Sequence, residues 1–211
     1  MEEKEYRSLL WKLIDDKRRE KIKKFYDLLA SGKEFYYDPI QDKLYADLNL
    51  TLTDKHLAMT MLEYLNREIA EKAKKIMSHT ESSKRSRVIS VAKLVKGITI
   101  NELQEASEKA AEDVNIAEYI VEDLKNLKPT RLVIFTDTPR ETADIFKEKK
   151  INPVYNSSGE FTYITVHATE LEQKDGILTG NITYIPDELE RHNIRTLDQL
   201  AFLKKHLELI S

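Results

Sequence analysis

Apolar side chains recur at three- and four-residue spacing through the first half of the chain, which predicts a series of amphipathic helices. The first helix spans residues 4–30, and the second keeps one apolar face over residues 58–76. A third helix ends at Gly97. A fourth begins at the capping-box pattern of residues 98–103 and ends before Pro129, which cannot continue a helix.

The pattern of apolar positions changes after Pro129. Residues 131–137 (RLVIFTD) predict a β-strand, and residues 138–150 predict a short helix that opens with a second capping box. Residues 161–166 predict a further strand. Residues 176–186 predict a hairpin of two short strands, with its turn at Thr179-Gly180-Asn181 and its end at a proline. The chain closes with an amphipathic run.

These elements predict an α+β protein in two domains. The first, residues 1–128, is an N-terminal all-helical bundle, in which residues 33–52 form an ordered connection. The second, residues 129–211, is a small β-rich α+β domain. The domain boundary is expected near residues 125–132, where the periodicity changes.

Composition narrows the possible functions. The chain has 34 Lys and Arg against 37 Asp and Glu, a net charge of −3, so we do not expect bulk binding to nucleic-acid phosphates. It has no cysteine, which excludes disulfides, thiolate metal sites and cysteine nucleophiles. The N-terminus lacks the apolar run of a signal peptide, and no segment is apolar over the length of a membrane span. We therefore expect a cytoplasmic protein.

Common cofactor and nucleophile motifs are missing from the sequence. The five histidines share no metal-ligand spacing. The chain contains neither the G-x-S-x-G pattern of a serine nucleophile nor a glycine-rich phosphate loop. The sequence therefore predicts no cofactor and no bound metal.

Two sequence patterns indicate possible catalytic functions. Asp137 ends a predicted strand just before a capped helix, the place of the reactive carboxylate in phosphotransferases with an aspartate nucleophile. The second aspartate of that arrangement, two residues on, is Pro139, so a turn role is favoured. Asp137 with Glu172 and Lys174 also matches the D…E-x-K pattern of PD-(D/E)xK nucleases, in which carboxylates hold a divalent metal.

A third alternative is a nucleic-acid-binding regulator. Lys84, Arg85 and Arg87 form the densest purely basic spot in the chain, within the segment HTESSKRSR. Clustered basic side chains can contact phosphates even in a chain that is near neutral overall.

The stretch YITVHATELEQKDGILTGNITYIPDEL, residues 163–189, resembles the GINS subunits of the archaeal and eukaryotic replication machinery. The resemblance lies in the order of four features. A strand is followed by an acidic bend that ends in Asp-Gly, then by a second strand with a glycine before a polar residue, and then by a strand that ends in an apolar residue and a proline. Residues 63–76 are similar to a long helix of that family, and residues 197–210 to its terminal helix.

This resemblance implies a non-enzymatic assembly subunit of a DNA replication complex. GINS proteins form tetramers that bridge the MCM helicase to a RecJ-like partner, which implies a homo- or hetero-tetramer associated with the nucleoid and weak DNA contact at most. The expected protein-interaction residues lie on the quoted stretch: Tyr163, Gly176, Gly180, Tyr184 and Pro186. We take this interpretation as the leading one and expect no nuclease activity.

Overall fold

The computed structural model describes the middle of the chain in detail: Glu20, Lys23 and residues 35–38, 42–118, 129–156 and 163–186. The first predicted helix, residues 4–30, and the closing amphipathic run lie almost entirely outside the described residues.

A mixed five-stranded sheet in the order β1-β2-β3-β4-β5 forms the centre of the fold. The outer strand β1 (Phe35–Asp38) runs antiparallel to β2 (Lys43–Asp47). Strand β3 (Arg131–Pro139) runs parallel to both β2 and β4 (Tyr163–Lys174). The other outer strand, β5 (Ile177–Tyr184), is antiparallel to β4.

The central strands are buried on both faces, as the continuous apolar runs of parallel strands require. Leu44 and Ile134 belong to the main core, whereas Tyr45, Val133 and Phe135 form a separate buried cluster. Since successive side chains of a strand point to opposite faces, these two clusters lie on the two sides of the sheet. The parallel pairing of β2 with β3 sets Tyr45 beside Val133 in register.

Between β2 and β3, after the π-helical turn Leu48–Leu52, the described residues 57–113 form four helices. They are α1 (Leu57–Leu65), α2 (Arg67–Met77), α3 (Lys84–Leu94) and α4 (Ile100–Asp113). After β3, the chain forms α5 (Arg140–Phe146), a second π-helical turn (Lys147–Ile151) and α6 (Asn152–Asn156).

The second predicted helix is divided in two. Asn66 has extended backbone (φ −165°), and its side-chain oxygen accepts hydrogen bonds from the backbone N–H groups of Glu68 (2.9 Å) and Ile69 (3.2 Å). Asn66 therefore caps a new helix, as asparagine at an N-cap commonly does. The apolar face continues across the break, so periodicity alone did not reveal it.

The start of the fourth predicted helix is confirmed. The Thr99 hydroxyl accepts from the backbone N–H of Glu102 (3.2 Å), and the Glu102 carboxylate accepts from the backbone N–H of Thr99 (2.8 Å). The backbone N–H and the hydroxyl of Thr99 both donate to the Glu102 carboxylate, and these two bonds hold the pKa of Glu102 below its usual range. The helix ends at Asp113, earlier than the predicted end before Pro129.

The predicted hairpin turn at residues 179–181 is wrong, because β5 is one continuous strand. The turn lies at Asp175 and Gly176, which both have positive φ (54° and 77°). Gly180 (φ 83°) lies inside β5, and a Cβ built there would come within 3.0 Å of the Lys96 Cβ. This glycine allows the strand to approach the end of α3.

The predicted fold class is also wrong. The N-terminal half is not an all-helical bundle, since residues 35–47 supply two strands to the sheet and the fold is α/β. The sheet therefore draws on both sides of the predicted boundary at 128/129, and the division into two domains stays a prediction. Within the described part of the chain, no helix combines the length and apolar character needed to cross a membrane.

Candidate active site at the carboxyl ends of β2 and β3

Two carboxylates lie where two neighbouring parallel strands end. Asp47 is the last residue of β2, and Asp137 lies near the end of β3. Each of the two side chains is only 9% exposed. In α/β sheets with parallel strands, ligands bind outside the carboxyl ends of the strands, so the pair stands at the expected edge for a functional site.

One ammonium group joins the two carboxylates. The Lys84 Nζ lies 3.6 Å from the Asp47 Oδ2 and 3.7 Å from the Asp137 Oδ2. Burial lowers the pKa of Lys84, but the two negative charges outweigh that effect, and its pKa is raised above the usual value. Lys84 therefore carries its charge throughout the physiological pH range.

The inserted helices hold Lys84 over the sheet edge. Lys84 is the first residue of α3, and the Ser83 hydroxyl caps this helix by accepting from the Ser86 backbone N–H (3.2 Å). One guanidinium nitrogen of Arg87 donates to the backbone carbonyls of His79 (2.8 Å) and Ser82 (3.1 Å). These bonds tie the loop before α3 to the helix itself, and they fix the position from which the lysine reaches the carboxylates.

Asn49 connects the end of β3 with the start of the helical insertion. Its amide nitrogen is within donating distance of the Asp137 Oδ1 (2.7 Å) and the hydroxyls of Thr136 (3.1 Å) and Thr138 (3.0 Å). Its amide oxygen accepts from the backbone N–H of Leu57, the first residue of α1 (3.0 Å). Because an amide neither gains nor loses a proton at ordinary pH, Asn49 orients Asp137 but cannot exchange protons with it.

The end of β3 is irregular at this point. Its pairing with β4 shifts register between Phe135 and Pro139, and Thr136 and Thr138 are both buried. The two threonine hydroxyls are 2.9 Å apart, and the Thr136 hydroxyl also accepts from the Thr138 backbone N–H (3.1 Å). This bulge aims Asp137 and the two hydroxyls toward the same edge.

An apolar pocket of about 50 Å³ adjoins the carboxylate pair, and Asp137 is part of its wall. Thr169 of β4 also lines it, and the Thr169 hydroxyl is buried without a hydrogen-bond partner. The rest of the wall is apolar and comes from the helices and from the last two strands, with representative members Ala58, Met61, Val91, Leu103, Leu171 and Ile182.

The residues of the predicted nuclease set have separate surroundings. The Glu172 carboxylate accepts from the Thr179 hydroxyl (2.5 Å) and the Asn181 amide (2.8 Å), and these two bonds lower the pKa of Glu172. Lys174 is exposed at the end of β4. Asp137 bonds instead to Asn49 and Lys84, and among the described residues no group of three or more His, Cys, Asp or Glu could hold a metal.

Of the predicted basic spot, Lys84 belongs to the carboxylate site and Arg87 bonds its own loop, while Arg85 is exposed. A nucleic-acid role for these three residues stays a prediction. The same holds for the predicted interaction residues, which lie on β4 or β5 or directly after one of these strands: Tyr163, Gly176, Gly180, Tyr184 and Pro186. Tyr163 is 68% exposed, whereas Gly180 is buried against the end of α3.

The sequence pattern identifies Asp137 as a candidate site residue, but it does not identify Asp47, Asn49 or Thr136. A signal was present, because the segment KLYAD ends in an aspartate after an apolar stretch, as a buried strand before a functional carboxylate does. The sequence predicts an ordered connection over residues 33–52 and not a strand. Nothing in that prediction brings Asp47 next to Asp137.

No protein-family model and no curated protein matches the chain. Several solved structures do. A phospho-aspartyl intermediate analogue of phosphoserine phosphatase is 21% identical, with a TM-score of 0.47 over 65% of this chain and 60% of that one. A phosphoserine phosphatase from T. onnurineus is 18% identical (TM-score 0.48, 70% and 68% covered). A HAD family hydrolase from Salmonella enterica serovar Typhi is 13% identical (TM-score 0.46, 72% and 52% covered).

The predicted resemblance to GINS subunits is wrong. The three solved structures named above are two phosphoserine phosphatases and a hydrolase, and the described part of the stretch that carried the resemblance, residues 163–186, supplies β4, its turn and β5 to a mixed sheet. The interpretation as a non-enzymatic replication subunit is wrong with it, together with the predicted tetramer, the MCM and RecJ-like partners and the nuclease alternative. Without that interpretation, the predicted nucleoid association has no support. The chain spans 60% of the first of these phosphatases, and each TM-score is below 0.5, so none of their activities is transferred to it.

Proposed function

We propose that this chain is a phosphohydrolase that cleaves phosphate monoesters with Asp47 as the nucleophile. The observation that carries the proposal is the ammonium of Lys84, 3.6 and 3.7 Å from two carboxylates at the ends of adjacent parallel strands. Aspartate carboxylates serve as nucleophiles in phosphoryl transfer, and a lysine ammonium is a common partner of phosphoryl oxygens.

Charge balance supports a divalent cation in this chemistry. Two carboxylates and one ammonium leave the cluster with one net negative charge, which would repel a phosphate group. Mg²⁺ commonly binds through one or two carboxylates, with water and substrate phosphate completing its shell. Asp47 is therefore the residue that would hold it during the reaction, and the bound cation would offset the charge of the phosphoryl group.

The pocket separates the roles of the two carboxylates. Asp137 lines the apolar pocket and Asp47 does not contribute to its wall, so Asp137 lies on the side where a leaving group fits. Asn49 holds the Asp137 carboxylate at 2.7 Å without being able to take its proton. We therefore assign Asp137 as general acid and base, and Asp47 as the nucleophile.

The reaction then has two steps. In the first, Asp137 enters with a proton taken up from solvent, and a carboxylate oxygen of Asp47 bonds to phosphorus. The bond from phosphorus to the ester oxygen breaks, and the departing oxygen takes that proton from Asp137 to leave as an alcohol. In the second, Asp137 accepts a proton from water as that water attacks the phosphorus. The bond from phosphorus to Asp47 breaks, and inorganic phosphate leaves.

The test is hydrolysis of ethyl phosphate and acetyl phosphate, whose leaving groups are both small, by the full chain with Mg²⁺ and with a chelator. We expect Mg²⁺-dependent turnover that Asp47→Asn reduces on the order of 10³-fold or more and Asp137→Asn by about 10² to 10⁴-fold. The matched control is Asp144→Asn, at an exposed position of α5, which should leave turnover unchanged. Acid quenching followed by peptide mass spectrometry should find a phosphoryl group on Asp47.

Either of two results would overturn the proposal. One is the absence of turnover on both substrates with every divalent cation tried. The other is turnover that survives Asp47→Asn, because a nucleophile cannot be replaced by an amide without loss of the covalent step.

A further inference from the structure

We propose that the apolar pocket beside Asp137 receives the leaving group of the substrate and selects phosphate monoesters of small, uncharged, mainly apolar alcohols. The inference rests on the proposed phosphohydrolase function and adds the class of substrate to it. It follows from the size of the pocket, its charge and one unsatisfied hydroxyl group.

The size of the pocket limits the leaving group. A cavity needs about 10–15 Å³ on this measure to hold one water molecule, and the pocket measures about 50 Å³. It therefore accommodates about three to five non-hydrogen atoms. A three- or four-carbon alkyl group fills that space, whereas a nucleoside or a sugar is too large for it.

The charge of the pocket excludes charged leaving groups. Of the described residues that line it, Asp137 alone is charged, and Asp137 is already engaged by Asn49 and Lys84. A leaving group with its own ammonium or carboxylate would lose its hydration shell and find no free partner of opposite charge in the wall. Burying such a charge is strongly unfavourable.

One polar atom of the wall has no partner. The Thr169 Oγ1 is buried without a hydrogen bond, and the residue is 1% exposed. Buried hydroxyl groups are nearly always hydrogen-bonded in native proteins, so an exception in a pocket wall points to a ligand atom that completes it. A single ether or hydroxyl oxygen on an otherwise apolar leaving group would do so.

Binding of two phosphonates tests the inference without requiring turnover. Isobutylphosphonate and methylphosphonate share the same head group and differ by three carbons. Burying one CH₂ group favours binding by about fourfold, so full burial of three carbons predicts a preference on the order of 50-fold for the isobutyl compound. The measurement is isothermal titration calorimetry on the full chain with Mg²⁺.

Pocket variants identify where the preference arises. Ala58→Leu adds three carbons at a partly exposed position of the pocket wall, and the preference for isobutylphosphonate should fall at least about tenfold while methylphosphonate binding stays unchanged. Glu105→Leu places the same side chain on the exposed face of α4 and should leave both affinities unchanged. Thermal unfolding confirms that each variant folds, and Ala58→Val replaces Ala58→Leu if the latter does not.

The outcomes separate this inference from the proposed function. If both phosphonates bind equally, or if hydrolysis of phosphoserine or glycerol phosphate exceeds that of isobutyl phosphate, the inference is wrong while phosphohydrolysis stands. If ethyl phosphate and acetyl phosphate are not hydrolysed and neither phosphonate binds, the proposed function itself fails. Thr169→Val should leave isobutylphosphonate binding unchanged, since that probe has no oxygen in its tail, and should weaken the 2-methoxyethylphosphonate complex. If wild type and Thr169→Val bind 2-methoxyethylphosphonate equally well, Thr169 has no part in binding the leaving group.

Discussion

Replacing Lys84 by Met removes the positive charge that lies between Asp47 and Asp137. At an effective dielectric constant of about 20, a pair of charges 3.6 or 3.7 Å apart attracts with about 4.5 kcal/mol. The desolvation of the ammonium offsets part of this attraction, and the Lys84 side chain is 41% exposed, so solvent screens the remainder. We expect a net loss of about 2 kcal/mol in the free energy of unfolding.

A loss of this size lowers the melting temperature by about 4–8 °C for a chain of this length, measured by circular dichroism near pH 7. The raised pKa of Lys84 fixes the sign of the pH dependence. The contribution is fully present below the ordinary lysine pKa and is lost only as the pH rises through the raised value. As far as the titration of Lys84 is concerned, the difference in melting temperature between wild type and variant should therefore be constant between about pH 6 and pH 9.

Mg²⁺ gives the second measurement on this variant. Without the ammonium, two carboxylates with 9% exposed side chains repel each other, and a divalent cation relieves that repulsion. A cation present at 100 times its dissociation constant stabilises the folded state by about 2.7 kcal/mol. We expect Mg²⁺ to raise the melting temperature of Lys84→Met more than that of wild type.

The control for Lys84→Met is Lys93→Met, which removes an exposed lysine from the last turn of the same helix. Equal melting temperatures for these two variants would refute the electrostatic reasoning. So would a Mg²⁺ effect of the same size in Lys84→Met and wild type, because the repulsion between the carboxylates would then be absent.

Two further predictions concern β5. Gly180→Ala should lower the melting temperature more than Gly176→Ala. Both glycines have positive φ, but a Cβ at Gly180 would come within 3.0 Å of the Lys96 Cβ, just after α3, whereas a Cβ at Gly176 meets nothing within 4 Å. Equal losses would contradict this packing. Thr179→Val should raise the pKa of Glu172 toward its ordinary value, since the Thr179 hydroxyl is the largest cause of the lowered pKa. Carboxyl ¹³C chemical shifts against pH measure it. A carboxyl group with a lowered pKa stabilises the folded state above its ordinary pKa, and that contribution is lost as the pH falls through the lowered value. The free energy of unfolding of the variant should therefore differ from that of wild type mainly above pH 4.5. An unchanged Glu172 titration would contradict the assignment.

The elements that could be predicted from sequence are those held by local contacts. The capping box of Thr99 and Glu102 spans three residues, and the strand of residues 131–137 ends at a proline before a helix. In both cases, the residues that determine the structure are neighbours in the chain. Their pattern is therefore visible without knowledge of the fold.

The sheet and the site depend on contacts that are distant in sequence. Strand β2 has five residues and pairs with β3, 88 positions further along the chain. So short a strand has no clear periodicity, and its assignment requires the partner that it packs against. Asn49 likewise means little until Thr136 and Asp137 are beside it. Gly180 was interpreted as a turn because glycine permits both tight turns and close packing, and only the position of α3 distinguishes the two.

Helix α3 links the charge of the site to the shape of its pocket. Its first residue, Lys84, forms ion pairs with both carboxylates. Two residues in its middle, Val88 and Val91, form part of the pocket wall. Just beyond the C-terminal end of α3, the backbone N–H of Gly97 donates to the Leu178 carbonyl of β5 (2.9 Å). A movement of α3 relative to the sheet would therefore change the electrostatics at the two carboxylates and the shape of the apolar pocket together, so a substitution that shifts this helix should alter both properties.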